Sequence, residues 1–243
     1  MHSSIVTRTD LALETLFRGD DAWCLEKVKP SASLKDAVPL DHFLTEGGLQ
    51  QTLADYQKQF GHCDRRACAS FWSLYYFSAL SIPFVLAAKQ GTLLPIDPEA
   101  MTITVDETGL VKSFGLNGEL EPFGSTDCTD AIEHLTTHHL IRAAKCLKDT
   151  AGLAPKLSLN NAAVYINYAL KLRSTEAETQ EPSDLFDTPH FPSGVANPFN
   201  GCLRSEVENG EHHCRRKICC LRYLLPGISG CGELCAKPEL RKQ

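Results

Sequence analysis

The chain closes with Cys219-Cys220, ten residues, Cys231, three residues and Cys235. Four soft thiolate donors within seventeen positions make a metal-binding pattern, because deprotonated sulfur binds zinc and iron–sulfur clusters tightly. The spacing alone leaves both occupants open. Zinc usually draws its ligands from two separated Cys-x-x-Cys turns, for which an adjacent pair is an awkward start. A [2Fe-2S] cluster spreads four thiolates over two irons and accommodates adjacent cysteines more easily. A purely structural group of thiols is the weakest account, since free cysteines rarely crowd into so short a basic segment without a ligand.

Other chemistry-bearing residues carry weaker signals. Cys63 and Cys68 resemble the opening of a plant-type cluster motif, but no third cysteine follows two residues later, so they read as helix-packing thiols. His138 and His139 fall inside a long helical pattern, where adjacent residues point apart, and read as surface or internally satisfied groups rather than a metal pair. His212 and His213 lie close enough to the cysteines to tune a proton-coupled reduction. Cys214 is the nearest spare thiol outside the four-cysteine pattern. Trp72, Tyr75 and Tyr223 read as core.

These residues need a scaffold. A chain of 243 residues with 43% hydrophobic content can bury one sizeable core. The expectation is a mainly helical α+β fold with a small β-hairpin, divided into a scaffold over residues 1–201 and a cysteine-rich segment over 202–243. Charge follows the same division: the segment carries a net +3 and the scaffold −9. The spacing of apolar residues predicts a short helix before Gly19 and a second ending at Gly61. An apolar core element over 67–89 should consist of two helical pieces meeting at Pro83. Its uncharged stretch, Phe71 to Ala88, is just long enough to be weighed as a membrane span. The serines within it and Pro83 favour a buried helix.

Alternation on both sides of Asp106-Glu107-Thr108-Gly109 predicts a hairpin over 101–116. A single long helix should run from about Asp127 to Thr150 and stop at Gly152, and Ser158 should cap another from 159 to 172. Residues 174–201 are acidic, then proline-rich, and read as a long linker with a short helix near Leu185. No phosphate-cradling glycine motif and no nucleic-acid signature is present. Residues 1–8 lack the apolar core of a secretory signal. An odd count of eleven cysteines also argues against a disulfide framework, which places the protein in the cytosol. Peripheral association with the inner face of a membrane is compatible with this reading.

The sequence Arg216-Lys217-Ile218-Cys219-Cys220-Leu221-Arg222-Tyr223-Leu224-Leu225-Pro226-Gly227, followed by Cys231-Gly232 and Cys235, resembles the C-terminal signature of the FhuF family of ferric-siderophore reductases. Weaker similarity extends upstream to Phe71-Trp72 through Pro83 and to Asn160-Asn161-Ala162-Ala163. The resemblance implies a [2Fe-2S] cluster on Cys219, Cys220, Cys231 and Cys235. It also implies a ferric hydroxamate-type siderophore as substrate and a ferredoxin-like electron donor. The family spacing between the last two cysteines is two residues, whereas Gly232-Glu233-Leu234 puts three here, which puts the geometry at that iron in question. Arg215, Arg216, Lys217 and Arg222 flank the cysteines, where cations favour the reduced cluster and attract an acidic donor or an anionic chelate. The competing function class is an electron carrier or iron-sensing module with no siderophore substrate of its own.

Overall fold

A computed structural model of the chain describes residues 8–45, 47–125, 127–172 and 182–241. The acidic part of the linker, 174–181, and the first seven residues lie outside the described residues. The chain begins with α1 (Arg8–Leu16), α2 (Cys24–Lys27), β1 (Val28–Pro30), β2 (Val38–Pro39), α3 (Leu40–Thr45) and α4 (Gly48–Gln57). Next come α5 (Arg65–Lys89), β3 (Thr92–Leu93), β4 (Met101–Val105), β5 (Val111–Leu116) and β6 (Glu121–Pro122). The rest is α6 (Thr129–Leu135), α7 (Ile141–Ala151), α8 (Pro155–Lys171), β7 (Leu203–Glu208) and β8 (Glu211–Arg216). The fold is α+β.

Helix α5 is the axis of the molecule. It is apolar on every face, the pattern of a helix enclosed by others, and nearly all its residues from Ala67 to Ala88 are buried. It is long and apolar enough to cross a bilayer, yet 89% of its most apolar window is buried inside the fold. Asp64 caps its first turn by accepting from the backbone N–H groups of Arg66 at 2.8 Å and Ala67 at 3.3 Å. Cys63 and Cys68 then occupy the positions flanking that cap where an apolar pair staples the entering chain to the helix.

The two pieces expected around Pro83 are one continuous helix. Proline removes a single donor, to the carbonyl of Ala79, and packing on all sides outweighs a penalty of about 3 kcal/mol.

Helix α8 lies along α5 in the same direction. Asn161 near its start bonds Ser70, and Lys89 at the end of α5 donates to the carbonyls of Leu170 and Leu172, both at 2.8 Å. Pro155 begins α8, at the first position where its missing N–H costs nothing. Ser158 is therefore not the expected cap; it is buried inside the helix, and its Oγ has no hydrogen-bond partner among the described residues. Gly152 ends α7 with φ +71, as its sequence position anticipates.

The single helix expected over 127–150 is interrupted by a π-helical turn at Thr136–Leu140. The wider turn carries His139 into the core, where Nδ1 donates to the Ile96 carbonyl at 2.6 Å and Nε2 accepts from the Tyr76 hydroxyl at 2.7 Å. Burial pushes the His139 imidazole down to about 4, so it is neutral.

The hairpin forms as anticipated, β4 antiparallel to β5, within a sheet of order β1-β5-β4-β2 in which only β1 pairs in parallel. Its turn docks on α5 through a hydrogen bond from Trp72 Nε1 to the Gly109 carbonyl at 2.8 Å. Gly109 has φ +86, and a Cβ there would meet the Thr52 carbonyl at 2.9 Å, so only glycine fits.

Candidate functional site

The C-terminal segment is held against α5 and α8 by a hairpin that the sequence analysis left unassigned. Strands β7 and β8 pair from Leu203–Arg216 to Glu208–Glu211. They turn through Asn209 and Gly210, with φ +55 and +84, the two-residue geometry that Asn-Gly favours. Strand β8 ends by carrying Arg215 and Arg216 out of solvent; they are 0% and 2% exposed.

Arg216 enters the interface between the two central helices. Both of its terminal nitrogens donate to Asn161 Oδ1 at 2.8 Å. The amide of Asn161 donates in turn to Ser70 O and Ser70 Oγ, each at 3.0 Å, and to Ser73 Oγ at 2.8 Å. Ser70 Oγ donates to the backbone carbonyl of Cys220 at 2.7 Å. Asn160 donates to the carbonyl of Cys202. The network thus fixes the cysteine loop to α5 and α8 by its main chain and delivers one buried positive charge beside it. The family resemblance marked the Asn160-Asn161 pair without indicating this contact; no local pattern marks Ser70, which reads as one more small residue in an apolar helix.

Arg215 on the opposite face of β8 is surrounded by carboxylates: Glu233 at 2.7 Å, Glu208 at 3.2 Å and Glu206 at 3.6 Å. Arg241 joins the same group through Glu208 at 2.7 Å and Glu206 at 2.9 Å, and its Nε donates to the carbonyl of Cys235 at 3.0 Å. The extra residue between Cys231 and Cys235 has a place here. Gly232–Leu234 forms one 3-10 turn closed by Cys235 N–H to Gly232 O at 2.9 Å, and Glu233 reaches from it to Arg215.

Two of the four cysteines touch: the sulfurs of Cys220 and Cys231 lie 3.9 Å apart and share a hydrogen bond. Cys219 Sγ accepts from Leu221 N–H at 3.4 Å, in a turn where Leu221 takes φ +62. The contact with Cys231 holds the Cys220 thiol well below its usual range against the opposing effect of burial, with Arg216 and the Arg222 N–H helping. The same contact pushes Cys231 up, followed by its burial and the nearby Cys220 and Cys235. Burial raises Cys219, which also feels Cys220 and Cys235. Cys214 is set apart: it accepts from Asn167 of α8 at 3.7 Å, and burial raises its thiol.

The donor set suits a metal centre chemically, since four soft sulfur donors fall on one short segment and two of them are in contact. Among the described residues no three of the thiol sulfurs lie all within 4.8 Å of one another; the group that meets that limit is Glu208, His213 and Glu233. Those carboxylates are engaged by Arg215 and Arg241.

The remaining candidates fall in different places. Lys217 is exposed, and Arg222 lies with its guanidinium carbon 5.0 Å above the Phe71 ring. Trp72 is core, but Tyr75 and Tyr223, read from sequence as core, are 40% and 38% exposed, and Lys237 lies 5.1 Å above the Tyr223 ring. His138 is exposed and pairs with Asp97 at 3.0 Å. His212 accepts from or donates to Ser205 at 3.1 Å, and His213 lies 3.6 Å from Glu233. A cleft of about 660 Å³ opens between α1, the end of α5 and β6. It lies about 30 Å along α5 from Ser70, twenty residues of helix away, too far for a ligand there to touch the thiols.

Residues 70–212 match the family described as ferric iron reductase FhuF-like transporter. The chain belongs to the FhuF-like family. A ferric siderophore reductase of Escherichia coli (strain K12) is 26% identical over 178 residues, which cover 72% of this chain and 67% of that relative. The matched residues open at Ser70 and take in α5, both asparagines and most of the β7–β8 hairpin. They stop before Cys219, so the role of the four cysteines in this FhuF-like chain rests on its own geometry.

Proposed function

We propose that this protein is a ferric-siderophore reductase in which a [2Fe-2S] cluster held by Cys219, Cys220, Cys231 and Cys235 passes one electron to a bound ferric hydroxamate. The observation that carries the proposal is the contact of Cys220 with Cys231 on a four-cysteine segment whose main chain is pinned by Ser70, Asn161 and Arg216 within a FhuF-like fold. A [2Fe-2S] cluster spreads four thiolates over two irons and accommodates the adjacent pair Cys219-Cys220 more easily than one tetrahedral zinc does.

The cluster supplies one-electron transfer at a potential that an all-cysteine site sets low, near −400 mV in plant-type proteins. The chain's residues set the conditions for it. Arg216, buried and always protonated, favours the more negative reduced state. Asn161 holds that guanidinium in position, and Ser70 fixes the backbone of Cys220. Arg215 and Arg241 clamp the second pair of cysteines through Glu206, Glu208 and Glu233.

No general acid or base is required, because reduction itself releases the metal. Hard anionic oxygens grip Fe(III) and hold the larger, less charged Fe(II) far more weakly. The segment 202–243 is on this reading the redox unit and 1–201 its scaffold. Eleven cysteines free of disulfides suit a reducing, cytosolic compartment and a ferredoxin-like donor.

The test is anaerobic stopped-flow mixing of dithionite-reduced protein with ferric hydroxamate and ferric citrate complexes in the presence of an Fe(II) chelator. Rapid re-oxidation with appearance of chelated Fe(II) is expected. Re-oxidation no faster than buffer for every complex would leave an electron carrier or iron sensor, and one zinc without sulfide on analysis would remove the cluster.

A further inference from the structure

The cations of the C-terminal segment are not equivalent. Arg215 and Arg241 share three carboxylates, Arg216 is bonded to Asn161, Arg204 to Glu206, and Lys237 to Glu239. Arg222 differs. Among the described residues its guanidinium has no ion pair and no hydrogen bond, its Nε is buried without a partner, and its contact is the face of Phe71 at 5.0 Å. An arginine laid on an aromatic ring keeps its outer N–H groups available for oxygen anions.

The surface around it is aromatic. Tyr75, one turn after Phe71 on α5, meets that ring edge-on at 5.5 Å and is 40% exposed. Tyr165 on α8 is half-buried within electrostatic reach of Arg216, Tyr75, Arg222 and Cys220. Among the described residues neither tyrosine hydroxyl has a hydrogen-bond partner. Arg222 lies two residues from Cys220, and the ring it covers, Phe71, follows Ser70, which holds the Cys220 backbone.

We propose that Phe71, Tyr75, Tyr165 and Arg222 form the platform on which the ferric chelate rests, with Arg222 and the two phenols contacting the chelate oxygens. The proposal builds on the reductase reading above and identifies its substrate site. Each hydroxamate carries one negative charge, so three around Fe(III) give a neutral core, and one added electron leaves it with a single negative charge. Arg222 interacts more strongly with that product than with the starting complex, which lowers the barrier to the transfer as well as binding the chelate. One electron passes from the reduced cluster to the iron and no covalent bond within the chelator is cleaved; the Fe–O bonds break as Fe(II) leaves, and the freed hydroxamate oxygens take up protons from water.

The probe is a gallium(III) trishydroxamate complex, which has the charge and shape of the ferric complex and takes no electron. Its binding to the full-length, cluster-loaded protein is measured by calorimetry, beside the visible spectrum and melting temperature of each variant. Arg222→Gln should weaken binding by about tenfold or more, the loss of a charge-assisted hydrogen bond, with the spectrum unchanged. Arg222→Lys should recover part of it. Tyr75→Ser, at an exposed position that folding does not depend on, should weaken binding too and keeps the test decisive if Arg222 variants lose the cluster.

Wild-type binding by Tyr75→Ser and by a cluster-loaded Arg222→Gln would overturn the platform. So would variants that bind gallium normally but accept electrons slowly from a reduced ferredoxin, because the surface would then belong to the donor. Failure of the wild type to bind the gallium complex would also overturn the platform, while the separate re-oxidation experiment decides the reductase reading.

Discussion

Two buried polar centres lie six residues apart on α5, and they are built in opposite ways. At Tyr76 the partners are His139 and the carbonyl of Ile96, every group satisfied by another, with burial keeping the imidazole neutral. At Ser70 the partners are Asn161, Arg216 and the backbone of Cys220. Burial cannot neutralise arginine, whose proton stays on in proteins. The first centre therefore rigidifies a core, while the second fixes a positive charge in low dielectric beside Cys220. A protein keeps such a charge at a cost in desolvation only where its field or its placement is used.

Removing Asn161 should break that comparison most severely. Asn161→Leu leaves the Arg216 charge and both serines without their shared partner and should cost about 3–5 kcal/mol, read by urea unfolding, with loss of visible absorption. The counterpart at the neutral centre, Tyr76→Phe, leaves one imidazole nitrogen unpaired and should cost about 1–3 kcal/mol with the spectrum intact. Equal losses, or a spectrum that survives Asn161→Leu, would show that the two centres do not differ in function.

Acid should separate them next. His139 is held neutral with a folded-state value of about 4, below its unfolded value of about 6.5. Protons therefore bind the unfolded chain first as pH falls, and stability present above pH 6.5 is lost progressively down to about pH 4. The loss should approach about 3 kcal/mol and should be absent from a His139→Gln variant measured at the same pH values.

Within the cysteine segment, on the proposed reading, serine at Cys219, Cys220, Cys231 or Cys235 should each bleach the visible absorption while helical circular dichroism stays near wild type. Serine at Cys214 should change neither. Loss of absorption with Cys214→Ser and its retention with Cys235→Ser would move the ligand set upstream. The smallest effect is expected from Glu233→Gln, since Arg215 retains Glu206 and Glu208. The spectrum should persist with only a small fall in melting temperature.

The sequence by itself determined the local features whose cause is local. The turn at Asp106–Gly109, the stop at Gly152, the burial of the apolar run in α5 and the clustering of four cysteines all follow from neighbouring residues. The Asn209-Gly210 hairpin was equally readable, but its strands are largely exposed and lack the apolar alternation that draws attention to a strand. The π-helical turn at Thr136 has no sequence mark, because it is selected by the Tyr76 and Ile96 partners it brings to His139.

Only the tertiary structure decided which cations are buried. Arg215, Arg216, Lys217 and Arg222 read from sequence as one basic run, yet two are enclosed, one is exposed and one lies unpaired on an aromatic ring. Burial of a charge depends on partners that arrive from far along the chain, such as Asn161, which is 55 residues from Arg216. Ser70 and Cys220 meet across 150 residues, and no pattern within either segment specifies that contact.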